Sequence, residues 1–184
     1  MLYVCSLREM PTHARALQPH GLISLVTPAE QPPTPACVPA ERHLRVDIDD
    51  ICVPRAGAIL PSEKHIRSVL DGIMPWPAGR PILIHCVAGV SRSMATALIV
   101  AATRAPGRET ELAQSLRRAA PHAQPNRLMI ELGDRLLGCG GRLLEAVTAI
   151  GPGVPVDYGP LVRLPAIGAV PTSGNDGIAV RTTL

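Results

Sequence analysis

Between Pro81 and Thr103 the chain passes from a short apolar run, PILI, through HCVAGVSRS into a stretch of small and apolar residues, MATALIVAAT. Four apolar residues are too few for a helix and read as a buried strand. A strand that runs through a Gly-containing turn into a helix, here expected from about Ser91 to Thr103, must cross over to reach a parallel neighbour. This unit commits the chain to an α/β fold: a central, mostly parallel sheet flanked by helices, with ligands bound at the carboxyl ends of the strands.

The remaining segments fit that sheet. Leu2 to Ser6 and Leu22 to Val26 read as strands, with a helix from Met10 to Gln18 between them. Thr27 to Pro39 holds five prolines and reads as an inserted surface loop. Leu44, Val46 and Ile48 alternate with Arg45, Asp47 and Asp49, the period of a half-buried strand that ends at Asp49 and Asp50. Ser62 can cap a helix from about Glu63, with Ile66, Val69, Leu70 and Ile73 on one face and Pro75, Pro77 and Gly79 behind it. Glu109 to Ala119 and Asn126 to Leu137 read as helices, and Leu143 to Ile150 extends or adds to the second. One domain over 1–150 is therefore expected, followed by a Pro/Gly-rich tail over 151–184.

Composition narrows the function. Hydrophobic residues make up 46% of the 184, but aromatics only 2% and Phe is absent, so the core must be built from Leu, Ile, Val and Ala. The net charge is +3, carried by scattered arginines with Lys64 the only lysine, which argues against nucleic-acid binding. Cys5, Cys37, Cys52, Cys86 and Cys139 form an odd set without a CxxC pair, so neither a disulfide framework nor a metal site is expected. The first residues lack the pattern of a secretory signal, and the longest apolar run is too short to cross a bilayer. The reading is a soluble, reduced, cytoplasmic protein with no membrane partner.

Cys86 and Arg92 bracket the turn as C-x5-R. A loop of this length can wrap the backbone N–H groups of Val87, Ala88, Gly89, Val90, Ser91 and Arg92 around a phosphate-sized anion, and the following helix adds its positive N-terminal end. Gly89 allows close backbone approach. Arg92 offers a planar fork that matches two phosphoryl oxygens. The same field favours Cys86 as an ionised, exposed nucleophile, which would also be open to oxidation by peroxide. His85 can orient the loop through backbone carbonyls, and Ser91 or Ser93 can donate to the sulfur. An isolated C-x5-R match arises by chance and a free cysteine is often simply buried, so the weight rests on the whole unit of strand, His85, Gly89, serines and small-residue helix.

The segment HCVAGVSRS resembles the signature of the protein tyrosine phosphatase superfamily, and its AGVSRS form is similar to the dual-specificity branch, in a small bacterial-type member. The likeness covers roughly 40–137, including QPNRLMIEL at 124–132. It implies hydrolysis of phosphomonoesters through a phosphocysteine, without metal or cofactor, on a phosphorylated protein or small phosphomonoester. Phosphotyrosine is the first substrate choice and phosphoserine or phosphothreonine the second. The resemblance also implies a general acid on a separate loop. Asp50, where strand gives way to loop, is the better candidate and Asp49 its rival. Gln124 and Asn126 read as a turn followed by a helix cap. The competing function classes are a phosphate-binding pseudophosphatase or interaction module and, further off, a rhodanese-like sulfur transferase.

Overall fold

A computed structural model describes residues 1–164. The elements are β1 (Leu2–Ser6), α1 (Met10–Leu17), β2 (Gly21–Val26), β3 (His43–Asp47), α2 (Glu63–Ile73), β4 (Ile82–Cys86), α3 (Arg92–Arg104), α4 (Glu109–Ala119), α5 (Arg127–Leu136), α6 (Arg142–Ala149) and β5 (Val162–Leu164). They form one five-stranded sheet in the order β3-β2-β4-β1-β5. The first four strands are parallel, and β5 pairs antiparallel with β1 at the edge. β4 runs two residues beyond the apolar run PILI, so that Cys86 is its last residue, in register with Ser6 of β1.

Strand periodicity assigns the two faces of the sheet. Val4, Ile23, Leu25, Val46, Ile82, Ile84 and Cys86 face the larger core, shared with α2 to α6. Cys5, Leu22 and Leu83 face a smaller core with Met10 and Ala14 of α1 and with Val38. The Pro-rich segment thus covers part of one sheet face. It has no strand and only single 3-10 turns at Pro28–Glu30 and Ala40–Arg42. Without phenylalanine, the interior is filled by Leu, Ile, Val and Ala together with Met10, Met94 and Met129, whose flexible side chains suit irregular gaps.

α3 is buried along almost its whole length, packed on β1 and β4 beneath α4 and α5. Its small residues permit that approach, and so does Gly133 of α5, where an added Cβ would lie 2.6 Å from Ile99 Cγ1. α5 and α6 are separate helices. Gly138, Gly140 and Gly141 between them all have positive φ, and the Asp134 carboxylate accepts from the N–H groups of Gly141 at 2.7 Å and Leu143 at 2.8 Å.

Residues 151–164, read from sequence as the start of an irregular tail, lie against the domain. Arg117 donates to the carbonyls of Ala120, Pro121, Ala123, Ile150 and Gly151, joining the end of α4 to the residues that follow α6. Gly159 N–H then donates to Ala88 O at 2.8 Å, and Tyr158 stacks under the Arg8 guanidinium at 4.9 Å. The rest of the expected tail, 165–184, lies outside the described residues. Among the described residues no helix is long and apolar enough to cross a membrane.

Asp134 is 7% exposed, so replacing it strands amide donors at the start of α6. Asp134→Ala is expected to lower stability by about 1–3 kcal/mol, read as a shifted urea midpoint with an unchanged slope.

Candidate active site

The loop after β4 is shaped by where its carbonyls go. Val87 O accepts from Leu7 N–H at 3.0 Å, Ala88 O from Gly159 N–H at 2.8 Å and Val90 O from Gln124 N–H at 2.9 Å. All three donors lie outside the loop, on segments that follow β1, α6 and α4. Because C=O and the next N–H point oppositely across a trans peptide, these bonds turn the N–H groups of Ala88, Gly89 and Ser91 toward the loop's interior. Gly89 N–H donates to Cys86 Sγ at 3.3 Å, as that geometry requires.

Gly89 has φ +74°, and an added Cβ would sit 2.7 Å from the backbone carbon of Cys5 and 2.8 Å from Ser6 N. The close approach that the sequence suggested for an anion is here an approach to the neighbouring strand. Any side chain at this position would push the loop off β1.

Cys86 is 1% exposed, with its sulfur at the floor of the loop. This corrects the expectation of an exposed nucleophile: a sulfur enclosed by its own loop amides cannot also stand proud of the surface. Ser93 Oγ lies 3.1 Å from Sγ, whereas Ser91 Oγ donates to Asp50 Oδ1 at 2.7 Å. The two serines, interchangeable in sequence, thus have different partners. The neighbouring Cys5 is fully buried, and burial pushes its thiol up, with Cys86 adding to the effect. At Cys139, burial and then Glu109 push the thiol up to about 11.

Arg92 is 6% exposed at the start of α3. Its Nη1 donates to Ile48 O at 2.8 Å, and its buried Nε has no hydrogen-bond partner among the described residues, the Asp50 Oδ2 atom standing 3.8 Å away. A buried donor of this kind fits an anionic ligand oxygen.

Of the two carboxylates after β3, only one reaches the loop. Asp49 Oδ2 accepts from Ile59 N–H at 2.7 Å, and Asp49 N–H donates to Ile59 O at 2.9 Å, closing the segment 49–59 on itself. Asp50 turns the other way, toward Ser91 and Arg92, and Asn126 Nδ2 also donates to its Oδ1 at 2.8 Å. Asn126 Oδ1 meanwhile accepts from Met129 N–H at 3.1 Å. The cap read from sequence is present, but the same side chain also holds the Asp50 segment, a second role that a Pro-Asn pair does not announce. Gln124 contributes through its backbone N–H.

His85 is fully buried. Its Nδ1 lies 3.4 Å from Cys86 O and its Nε2 2.6 Å from Ser24 Oγ, which is itself 2.7 Å from His43 Nε2. Burial drives the His85 imidazole down to about 4, against the upward pull of the Cys86 carbonyl, with His43 and Arg92 adding to the lowering. Burial, then Arg45, lowers His43 to about 4 as well. Neither Ser24 nor His43 stood out in the sequence, although a serine in the middle of the apolar strand LISLV was the available signal.

Both histidines are neutral in the folded chain, whereas the unfolded chain protonates them near their ordinary 6.5. Stability is therefore lost as pH falls from 6.5 toward 4, by up to about 1.4 kcal/mol per pH unit for each histidine. Urea unfolding at pH 7 and pH 5 is expected to show this fall, and His43→Gln to make it shallower. An equal fall in both proteins would count against the neutral pair.

No family model and no curated protein matches this chain. Solved structures do. The Cydia pomonella PTP-2 phosphatase is 22% identical, over 71% of this chain and 82% of that one, with a TM-score of 0.51. DUSP15 is 18% identical, over 80% and 90%, with a TM-score of 0.58. PTPMT1, solved in complex with PI(5)P, is 14% identical, over 81% and 93%, with a TM-score of 0.55. At such identities the likeness is one of architecture: the chain has the fold of the protein tyrosine phosphatase superfamily, in its dual-specificity-like form.

Proposed function

We propose that the chain is a cysteine-dependent phosphatase that hydrolyses phosphomonoesters, protein phosphotyrosine first among them, through a phosphocysteine intermediate. One observation carries the reading. Cys86 Sγ lies inside a loop whose amides turn inward, while the Asp50 carboxylate sits on Ser91 and beside Arg92 at the loop's far end. A nucleophile, an anion cradle and a proton donor therefore converge at the end of β4.

In the first step Cys86 Sγ bonds to phosphorus as the bond to the ester oxygen breaks, and Asp50 in its acid form passes its proton to that oxygen. In the second, water attacks phosphorus, its proton goes to the Asp50 carboxylate, and the P–S bond breaks to release phosphate. Ser93, beside the sulfur, can donate to it as it departs. The inward amides and Arg92 stabilise the equatorial oxygens throughout.

Two features support the substrate choice. The sulfur of a cysteine that is 1% exposed is reached more easily by a phosphate on the long aryl stem of tyrosine than by one on serine or threonine. Val87, Ala88 and Val90 carry no charge for additional phosphates, which separates this loop from one suited to an inositol phosphate. A free thiol nucleophile fits a reducing compartment such as the cytoplasm.

Freshly reduced protein is expected to hydrolyse p-nitrophenyl phosphate steadily, and Cys86→Ser to abolish turnover. Asp50→Asn should lower turnover by about 10²-fold or more on esters with poor leaving groups, less on p-nitrophenyl phosphate. Asp49→Asn should cost far less. A wild-type protein that binds phosphate without turning over p-nitrophenyl phosphate would instead be a binding module. A phosphopeptide panel decides between tyrosine and serine or threonine.

A further inference from the structure

The sheet face opposite the Cys86 side chain carries polar groups that the proposed chemistry does not use. His43 on β3, Ser24 on β2 and His85 on β4 form a line across three adjacent strands, and all three are buried. The line continues into the Pro-rich loop: Thr34 Oγ1 is 2.9 Å from His43 Nδ1 and accepts from Arg45 Nη2 at 2.9 Å. Arg45 also donates to Pro32 O at 3.1 Å. Strand periodicity explains the meeting, since His43 and Arg45 lie two residues apart on one face of β3.

Donor and acceptor counting gives this line a direction. The Cys86 carbonyl can only accept, so His85 Nδ1 carries the hydrogen and the neutral ring's Nε2 is bare. Ser24 must then spend its single hydrogen on His85 Nε2 and can only accept from His43. His43 consequently carries its hydrogen on Nε2 and leaves Nδ1 bare. Thr34 gives its hydrogen to that nitrogen and accepts from Arg45, which has only donors. Every group in the line is satisfied in this one arrangement, with the two histidines in opposite tautomers.

We propose that Arg45, Thr34, His43, Ser24 and His85 form a one-way hydrogen-bond relay that holds the Cys86 carbonyl and thereby aims the phosphate loop, with Thr34 of the Pro-rich loop as a positioning residue. The carbonyl of Cys86 and the N–H of Val87 share one rigid peptide plane, so fixing the first aims the second. The His43, Ser24 and His85 stretch is buried and fully paired, so a break there leaves a buried polar atom without a partner, and the half-buried Thr34 joins it to the exposed Arg45. The relay's catalytic consequence rests on the phosphatase reading, but its proton arrangement does not.

The test is nitrogen-15 NMR of histidine-labelled full-length protein, paired with p-nitrophenyl phosphate kinetics. The wild type should show His43 with its hydrogen on Nε2 and His85 with its hydrogen on Nδ1. In Thr34→Val, the bare His43 Nδ1 should lose its hydrogen-bond donor and its nitrogen-15 resonance should move while the hydrogen stays on Nε2, and kcat should fall about fivefold with KM little changed, as expected for losing roughly 1 kcal/mol of orientation. Thr34→Ser should restore both. The same tautomer on both rings, or wild-type spectra in Thr34→Val, overturns the relay. Altered spectra with kcat at the wild-type level overturn the positioning role. A wild type without turnover removes the phosphatase reading, and the spectra alone then decide the relay.

Discussion

Three outward hydrogen bonds hold the loop after β4 open. Here Leu7, Gly159 and Gln124 take up the carbonyls of Val87, Ala88 and Val90 from outside, and trans-peptide geometry does the rest. The inward turn of the amides is thus a by-product of where other segments pass. Those segments come from distant parts of the chain, so the site depends on the whole fold and not on the signature alone. Gly89 is the point of closest contact, where loop and β1 touch with no room for a side chain.

Asp50 is placed by a different set of contacts, which share members with the first. Arg92 Nη1 bonds the carbonyl of Ile48, the last buried residue before the acidic pair, and Asn126 ties Asp50 to the start of α5. Closure of 49–59 through Asp49 and Ile59 keeps that second carboxylate turned away. The carboxylate that reaches the loop is selected by these hydrogen bonds, since the two residues are chemically alike.

Much of the architecture could be read from residues alone, because periodicity and helix signals were strong where they mattered. Ser62 caps α2, α4 spans Glu109–Ala119, and the C-x5-R turn does lie between a strand and a helix. What escaped notice were features made by contacts between remote segments. β5 is three residues long and owes its existence to the exposed edge of β1. The double role of Asn126, the division of labour between Ser91 and Ser93, and the line of Ser24 and His43 beneath His85 all depend on which strands are neighbours. Spacing along a chain does not encode that order. The enclosure of the sulfur belongs to the same class, as it follows from how the loop is tethered.

Arg117 gathers five carbonyls from both sides of the α4 and α6 ends. It thereby steers residues 151–159 back across the molecule until Gly159 meets Ala88. The stretch after the last helix is thus part of the scaffold that shapes the loop after β4. A shortened protein stopping at Ile150 would retain Cys86, Arg92 and Asp50, yet would release one of the three guy-ropes on which the loop after β4 hangs. The smallest unit able to keep its geometry reaches at least as far as that glycine.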